Sequence, residues 1–332
     1  EGLLKGAKAF ADTAVIVISR FSGEGWDRKS VRYEGQVSDE GRQSELSEKI
    51  FQDSDFCLTH EEAALVAKVK ERFERIVVVL NVGGMVDTSW FIDDEKLPAV
   101  LLAWQGGMEG GLAMADILMG KVSPSGKLSD TFAGSLDDYP STANFHESPD
   151  YVEYTDDIYV GYRYFDTFGI EPQYCFGYGK GYTDFAIEEA KAAIEGSGVK
   201  VTAKVTNTGK EYAGKEVVQV YVSAPEDALA TRDVVQVYVS KPDGKLEKPY
   251  QELKAYKKTA LLAPGEAETV ELTFALKDMA SYSEKEAAWI LEPGEYIIRV
   301  GNSSRTTHIA AVLTVDAEKK TEQLKNLFNG DK

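Results

Sequence analysis

Cysteine is nearly absent from this chain, which excludes a disulfide framework: Cys57 and Cys175 are the two among 332 residues. Neither has CxxC company, and both read most simply as small buried apolar residues. Histidine is as scarce. His60, His146 and His308 stand far apart without HxxxH spacing, so no metal site is expected and no metal or organic cofactor is implied. No apolar run approaches the roughly 18 residues that a membrane helix requires. Cations are outnumbered, with 37 Lys and Arg against 55 Asp and Glu, for a net charge of −18. That balance argues against nucleic acid or an anionic membrane as a partner, because phosphate binding needs clustered cations. It suits a neutral ligand such as a sugar without indicating one. The first residue is Glu1 rather than Met, the mark of a processed, trimmed or partial chain. Few cysteines and no visible targeting segment favour the cytoplasm.

What is present divides into an α/β part and an all-β part, and two domains suit the length. Residues 1–132 alternate apolar strands at Thr13–Ser19, Arg75–Val82 and Ala99–Trp104 with helical patterns at His60–Phe73 and Gly106–Met119. Near-continuous apolar strands separated by helices predict a parallel, doubly wound sheet. Three strands are few for such a domain, and the sheet reads as cut short on its N-terminal side. Val122–Leu128 reads as the turn that closes it. Residues 133–181 are rich in Tyr, Asp, Pro and Ser, and include Ile158-Tyr159-Val160-Gly161-Tyr162-Arg163-Tyr164-Phe165-Asp166. So many aromatics predict packing across a domain boundary, with a sugar-lining role for the tyrosines as the other reading.

Residues 182–317 change to short strands punctuated by turns such as Ala263-Pro264-Gly265-Glu266 and Glu292-Pro293-Gly294-Glu295, the pattern of an immunoglobulin-like or fibronectin type III-like β-sandwich. Residues 318–332 read as a polar tail or linker. One strand is duplicated: Val217-Val218-Gln219-Val220-Tyr221-Val222-Ser223 recurs identically as Val234-Val235-Gln236-Val237-Tyr238-Val239-Ser240. A sandwich needs that strand once, so the expectation is one copy in place and the other as an extra edge strand or an extruded loop.

The chemistry points to the end of the first strand. Thr13–Ser19 runs into Arg20-Phe21-Ser22-Gly23-Glu24-Gly25-Trp26-Asp27-Arg28, a carboxylate flanked by glycines. Ligands of open α/β sheets bind outside the carboxyl ends of the strands. Glycines on both sides remove side-chain cover and let another surface approach Glu24. Against this stands the plain reading of Glu24 as a solvated loop carboxylate. Trp26 either stacks on a sugar ring or packs beneath the loop. Arg20, Asp27 and Arg28 either tune Glu24 or touch sugar, or they anchor the loop through ion pairs. The Gly106–Gly111 cluster does not fit G-x-G-x-x-G, and tight helix–sheet packing is the favoured reason for its glycines.

Taken in order, several motifs resemble glycoside hydrolase family 3. They are Ser22-Gly23-Glu24-Gly25-Trp26-Asp27-Arg28, Trp104-Gln105-Gly106-Gly107-Met108-Glu109-Gly110-Gly111, Pro124-Ser125-Gly126-Lys127-Leu128, the Ile158–Asp166 stretch, Phe176-Gly177-Tyr178-Gly179, and the turns at Pro264 and Pro293. The resemblance covers nearly the whole chain. It implies a partial α/β-sandwich domain followed by a fibronectin type III-like domain, in a retaining β-glycosidase, a β-glucosidase, that hydrolyses terminal non-reducing β-linked sugars. It makes Glu24 the general acid/base. The family's nucleophile is an aspartate on a (β/α)8 barrel, which this sequence does not encode, so the resemblance implies a barrel partner in the same or another chain and an inactive isolated chain. Retaining enzymes need two carboxyl groups about 5–5.5 Å apart, and only one is identified here. At Gly179-Lys180-Gly181-Tyr182 the chain departs from the family's Gly-Leu-Ser-Tyr. The alternative is a noncatalytic carbohydrate-binding or interaction module.

Overall fold

A computed structural model describes residues 2–20, 49–51, 53–145, 148, 150–223 and 246–326. Its chain forms two compact units, residues 1–119 with 132–155 and residues 120–131 with 156–332.

In the first unit, helix α1 (Gly2–Phe10) precedes β1 (Thr13–Arg20), α2 (His60–Arg72), β2 (Arg75–Val82), β3 (Ala99–Leu102) and α3 (Gly110–Leu118). The strands form a parallel sheet in the order β1-β2-β3, with Thr13 opposite Arg75 and Val77 opposite Ala99. Their β-branched residues favour extended backbone. Val78, Val79, Leu80 and Val82 of β2 are buried, as a central parallel strand requires. β1 differs from the continuous burial expected of it. Ile16 and Ile18 are buried, whereas Val15 and Val17 are 51% and 56% exposed. β3 ends at Leu102 instead of Trp104 because Trp104 turns to φ 52°, outside any strand geometry.

The second unit opens with a short helix, α4 (Tyr162–Thr167). Strands β4 (Phe185–Glu195), β5 (Gly198–Asn207), β6 (Val217–Ser223), β7 (Gln251–Lys258) and β8 (Ala267–Ala275) follow. They continue as β9 (Ser281–Ser283), β10 (Ala288–Leu291), β11 (Gly294–Gly301), β12 (Thr307–Val315) and β13 (Lys319–Gln323). One sheet runs β12-β11-β6-β7 and another β4-β5-β8, with a small β13-β10-β9 sheet beside them. β5 alternates buried and half-buried residues, presenting Val199, Val201, Ala203 and Val205 to Val218, Val220, Val222, Val270, Leu272 and Ile298. Each valine so buried contributes about 1.5–3 kcal/mol. At Ala263–Glu266 the Glu266 N–H donates to Ala263 O across 2.9 Å with Gly265 at φ +80°, a type II turn with Pro and Gly where that turn needs them.

The division between units falls elsewhere than the composition suggests. Residues 120–131, read as the close of the first domain, belong to the second unit: Leu128 exchanges backbone hydrogen bonds with Gly177 and Tyr178, and Lys127 pairs with buried Glu216 at 2.8 Å. The close approach also accounts for the Gly181 departure, since a Cβ there would lie 2.7 Å from Pro124 O. The tyrosine-rich stretch from residue 156 belongs to the sandwich unit. Tyr162 is buried, its ring 4.8 Å from that of Phe176 and its hydroxyl accepting from Leu253 N at 2.8 Å. Asp166 is buried with Arg305 at 2.6 Å and accepts from Gln251 Nε2 at 2.8 Å. Residues 319–323, read as tail, form β13 against β10. Of the duplicated strand, the first copy is β6; the second lies outside the described residues.

Asn207, fully buried at the end of β5, ties this unit's loops together. Its Nδ2 donates to Tyr212 O and Leu262 O at 3.0 and 2.9 Å, and its Oδ1 accepts from Gly209 N and Thr183 Oγ1 at 3.0 and 2.5 Å. Removing it strands buried backbone groups. Asn207→Ala is expected to destabilise the unit by about 3 kcal/mol in chemical denaturation. Asn207→Asp, near-isosteric, should fare no better, because a carboxylate has no proton to give two carbonyls. An Asp variant as stable as the native chain would contradict this role.

Candidate active site at the carboxyl end of the first strand

Parallel pairing brings the carboxyl ends of β1, β2 and β3 to one edge of the first unit. Glu24 and Trp26, with Asp27 and Arg28, lie outside the described residues. Arg20, the last residue of β1, is described and buried.

Arg20 carries five N–H donors in a planar fork, and each has an acceptor. Nε donates to Asp55 O at 2.7 Å. Nη1 donates to Ser19 O at 2.8 Å and to Glu62 Oε1 at 2.9 Å. Nη2 donates to Cys57 O at 2.8 Å and to Glu62 Oε2 at 2.7 Å. The guanidinium also lies over the Phe51 ring, 4.8 Å from its centroid. One side chain thus fastens the end of β1, the 55–57 segment and the first turn of α2. Arg20 is ion-paired with Glu62 at 2.7 Å, as its anchor reading requires. Cys57 serves this arrangement through its backbone carbonyl.

Glu62 is held in turn by a capping box. Thr59 Oγ1 accepts from Glu62 N at 3.1 Å, while Glu62 Oε2 accepts from Thr59 N at 2.9 Å. Burial pushes the Glu62 carboxyl up. The Arg20 hydrogen bonds, the Thr59 amide and the Arg20 charge together outweigh that effect and hold it below the ordinary value. Sequence inspection passed over Glu62, yet Thr59-His60-Glu61-Glu62 before an apolar helical pattern is the signature that identifies such a cap.

The neighbouring strand ends complete the edge. Gly83 N donates to Arg20 O at 3.2 Å, and Asp87 N donates to Phe56 O at 2.9 Å. Trp104, left-handed after β3, faces Phe132 with ring centroids 6.5 Å apart. A bulky residue at positive φ stores strain that only surrounding contacts sustain, and such residues gather at functional sites. α3 starts at Gly110, four residues later than its pattern suggests. The helix–sheet packing expected of its glycines is not what the structure has. A Cβ on Gly106 would lie 2.9 Å from Gly110 Cα, a contact with the helix start itself, and Gly107, Gly110 and Gly111 face open space. Among the described residues no three His, Cys, Asp or Glu side chains converge as a metal site.

Known proteins resemble this arrangement along nearly its whole length. The glycosyl hydrolase family 3 C-terminal domain matches residues 4–182, and a fibronectin type III-like domain matches residues 233–304. Beta-glucosidase A of Butyrivibrio fibrisolvens is 50% identical over 93% of this chain and 38% of its own length. An exo-alpha-(1->6)-L-arabinopyranosidase of Bifidobacterium longum is 36% identical over 79% of this chain and 32% of its own. The structure of beta-glucosidase 3B from Thermotoga neapolitana, solved with glycerol, superposes with a TM-score of 0.78 at 39% identity, covering 96% of this chain and 40% of that one. The chain therefore spans well under half the length of these relatives.

Replacing Arg20 by Lys keeps the charge and loses the fork. Arg20→Lys is expected to destabilise the first unit by about 3 kcal/mol in urea denaturation. The Glu62 contribution has a defined pH window. A carboxyl held below its ordinary value of 4.5 stabilises fully above that pH and loses its effect as pH falls through the lowered value. The native chain should therefore exceed Glu62→Gln in stability at pH 7, with the gap closing in acid. A gap that persists unchanged at pH 3 would contradict the pairing.

Proposed function

The chain belongs to glycosyl hydrolase family 3, and on that premise we propose that it is the two-domain accessory part of a retaining β-glycosidase, a β-glucosidase, acting on terminal non-reducing β-linked sugars. Glu24 serves as the general acid/base. The nucleophile and the pocket for the terminal sugar belong to a (β/α)8 barrel in the same or another chain. The observation that carries this reading is the five-point anchoring of Arg20 at a strand carboxyl end, four residues before Glu24, in a chain half identical to a β-glucosidase.

In a retaining reaction one carboxylate attacks the anomeric carbon while an acid protonates the departing oxygen; the same group, now a base, activates water to release the sugar. Glu24 takes this second role. A carboxyl group on a loop between glycines reaches a bond held by another domain, and closure of the two domains completes the pair. Arg20 is a positioning residue: it touches no reacting atom and fixes the root of the loop. Trp26 stacks on the sugar beside the scissile bond. Relatives that act on different sugars fit this division of labour, because specificity for the terminal sugar then resides on the barrel.

The test is aryl β-glucoside hydrolysis by the complete enzyme carrying Glu24→Ala, with and without azide. Loss of general acid/base catalysis should slow turnover by about 10²–10⁴-fold. Azide needs no deprotonation, so it should restore turnover and leave a β-glycosyl azide. An unimpaired variant would make Glu24 structural. The isolated chain should turn over no substrate, and measurable hydrolysis by it would overturn the division of labour.

A further inference from the structure

One slot in the sandwich has two claimants in the sequence. β6, residues Val217–Ser223, lies between β11 and β7. The identical heptapeptide at 234–240 begins 17 positions after Val217. The fibronectin type III-like match begins at residue 233 and so opens on the second copy, whereas the structure seats the first. The family match thus includes the second copy and leaves out the first, which is the copy the structure seats. We propose that the slot between β11 and β7 accepts either copy, so that the chain has two threadings of the same sheet.

Everything the slot recognises within the strand is common to both copies. Val218, Val220 and Tyr221 are completely buried. Gln219 Nε2 donates to Asn302 O at 2.8 Å, and Tyr221 OH donates to Gln219 Oε1 at 2.5 Å. Arg299 Nε donates to Ser223 Oγ at 2.9 Å. The ladder bonds to β7 and β11 come from the backbone. A second copy in the same register presents the same groups at the same places.

The connections permit the exchange. With the first copy seated, residues 208–216 lead in from β5 and 224–250 lead out to β7; with the second, 208–233 lead in and 241–250 lead out. The exchange moves spare residues from one side of the strand to the other without changing their number. Closure entropy rises only slowly with loop length.

The residue before the strand breaks the tie. Glu216 is buried, pairs with Lys127 at 2.8 Å and accepts from Asn302 Nδ2 at 3.1 Å. The second copy is preceded by Asp233. Its carboxylate is shorter by one methylene, about 1.5 Å, so it reaches these partners less well. Glu216 therefore favours the first copy without excluding the second.

The experiment compares Val220→Asp, Val237→Asp and the double variant by thermal denaturation and by hydrogen exchange with mass spectrometry. Aspartate at the centre of the seated strand buries an unpaired carboxylate, which the sheet cannot absorb. Val237→Asp should melt like the native chain, with residues 217–223 protected. Val220→Asp should keep a cooperative transition, lowered by about 5–10 °C, with protection transferred to residues 234–240. The double variant should lose the transition. The proposal is overturned if Val220→Asp loses the transition as fully as the double variant, if it melts cooperatively without the transfer of protection, or if Val237→Asp alone loses the transition.

Discussion

The guanidinium of Arg20 is the contact on which the first unit's working edge depends. A parallel sheet delivers strand ends to one side, but it does not fix what the chain does after each strand. Arg20 fastens the end of β1 by occupying all five of its donors, on three carbonyls and both oxygens of Glu62. Burying a cation requires such saturation. The capping box at Thr59 then holds Glu62, so the anchor is rooted in a helix and not in another loop.

The sandwich unit is stabilised differently, by alternation of apolar residues and by buried polar side chains at its ends. Tyr162 and Asp166, from α4, and Asn207, at the end of β5, each bond backbone or side-chain groups of neighbouring strands and loops. The two units thus use distinct devices for distinct needs. In one, a buried ion pair fastens a strand end to a helix; in the other, a polar network closes the rim of a β core.

How much of this was legible in the sequence follows from which signals are local. Apolar β-branched runs identified β1, β2 and the strands seated on the sandwich core, and Pro-Gly pairs identified its turns. The glycine setting of Glu24 is visible in the sequence, whereas the Arg20–Glu62 pair is not, because the two meet only in three dimensions. β4 carries no such signal: Phe185–Glu195 is rich in Ala, Glu and Lys, helix-forming residues, and its strand exists because β5 pairs with it. β13 is a polar strand whose extension likewise comes from its partner. The aromatic stretch at 158–166 signalled packing correctly, but composition does not say on which unit. Its hydrogen bonds to β7 do.

The central claim is that Arg20 acts on the reaction through Glu24 alone, by holding the root of its loop. The direct measurement is a double-mutant cycle on kcat/KM for an aryl β-glucoside in the complete enzyme, with Arg20→Lys, Glu24→Ala and both. Arg20→Lys should slow the native enzyme about tenfold or more and leave the Glu24→Ala enzyme nearly unchanged, since a misplaced acid and an absent one are equally lost. Equal slowing in both backgrounds would contradict the account and make Arg20 a residue of stability only.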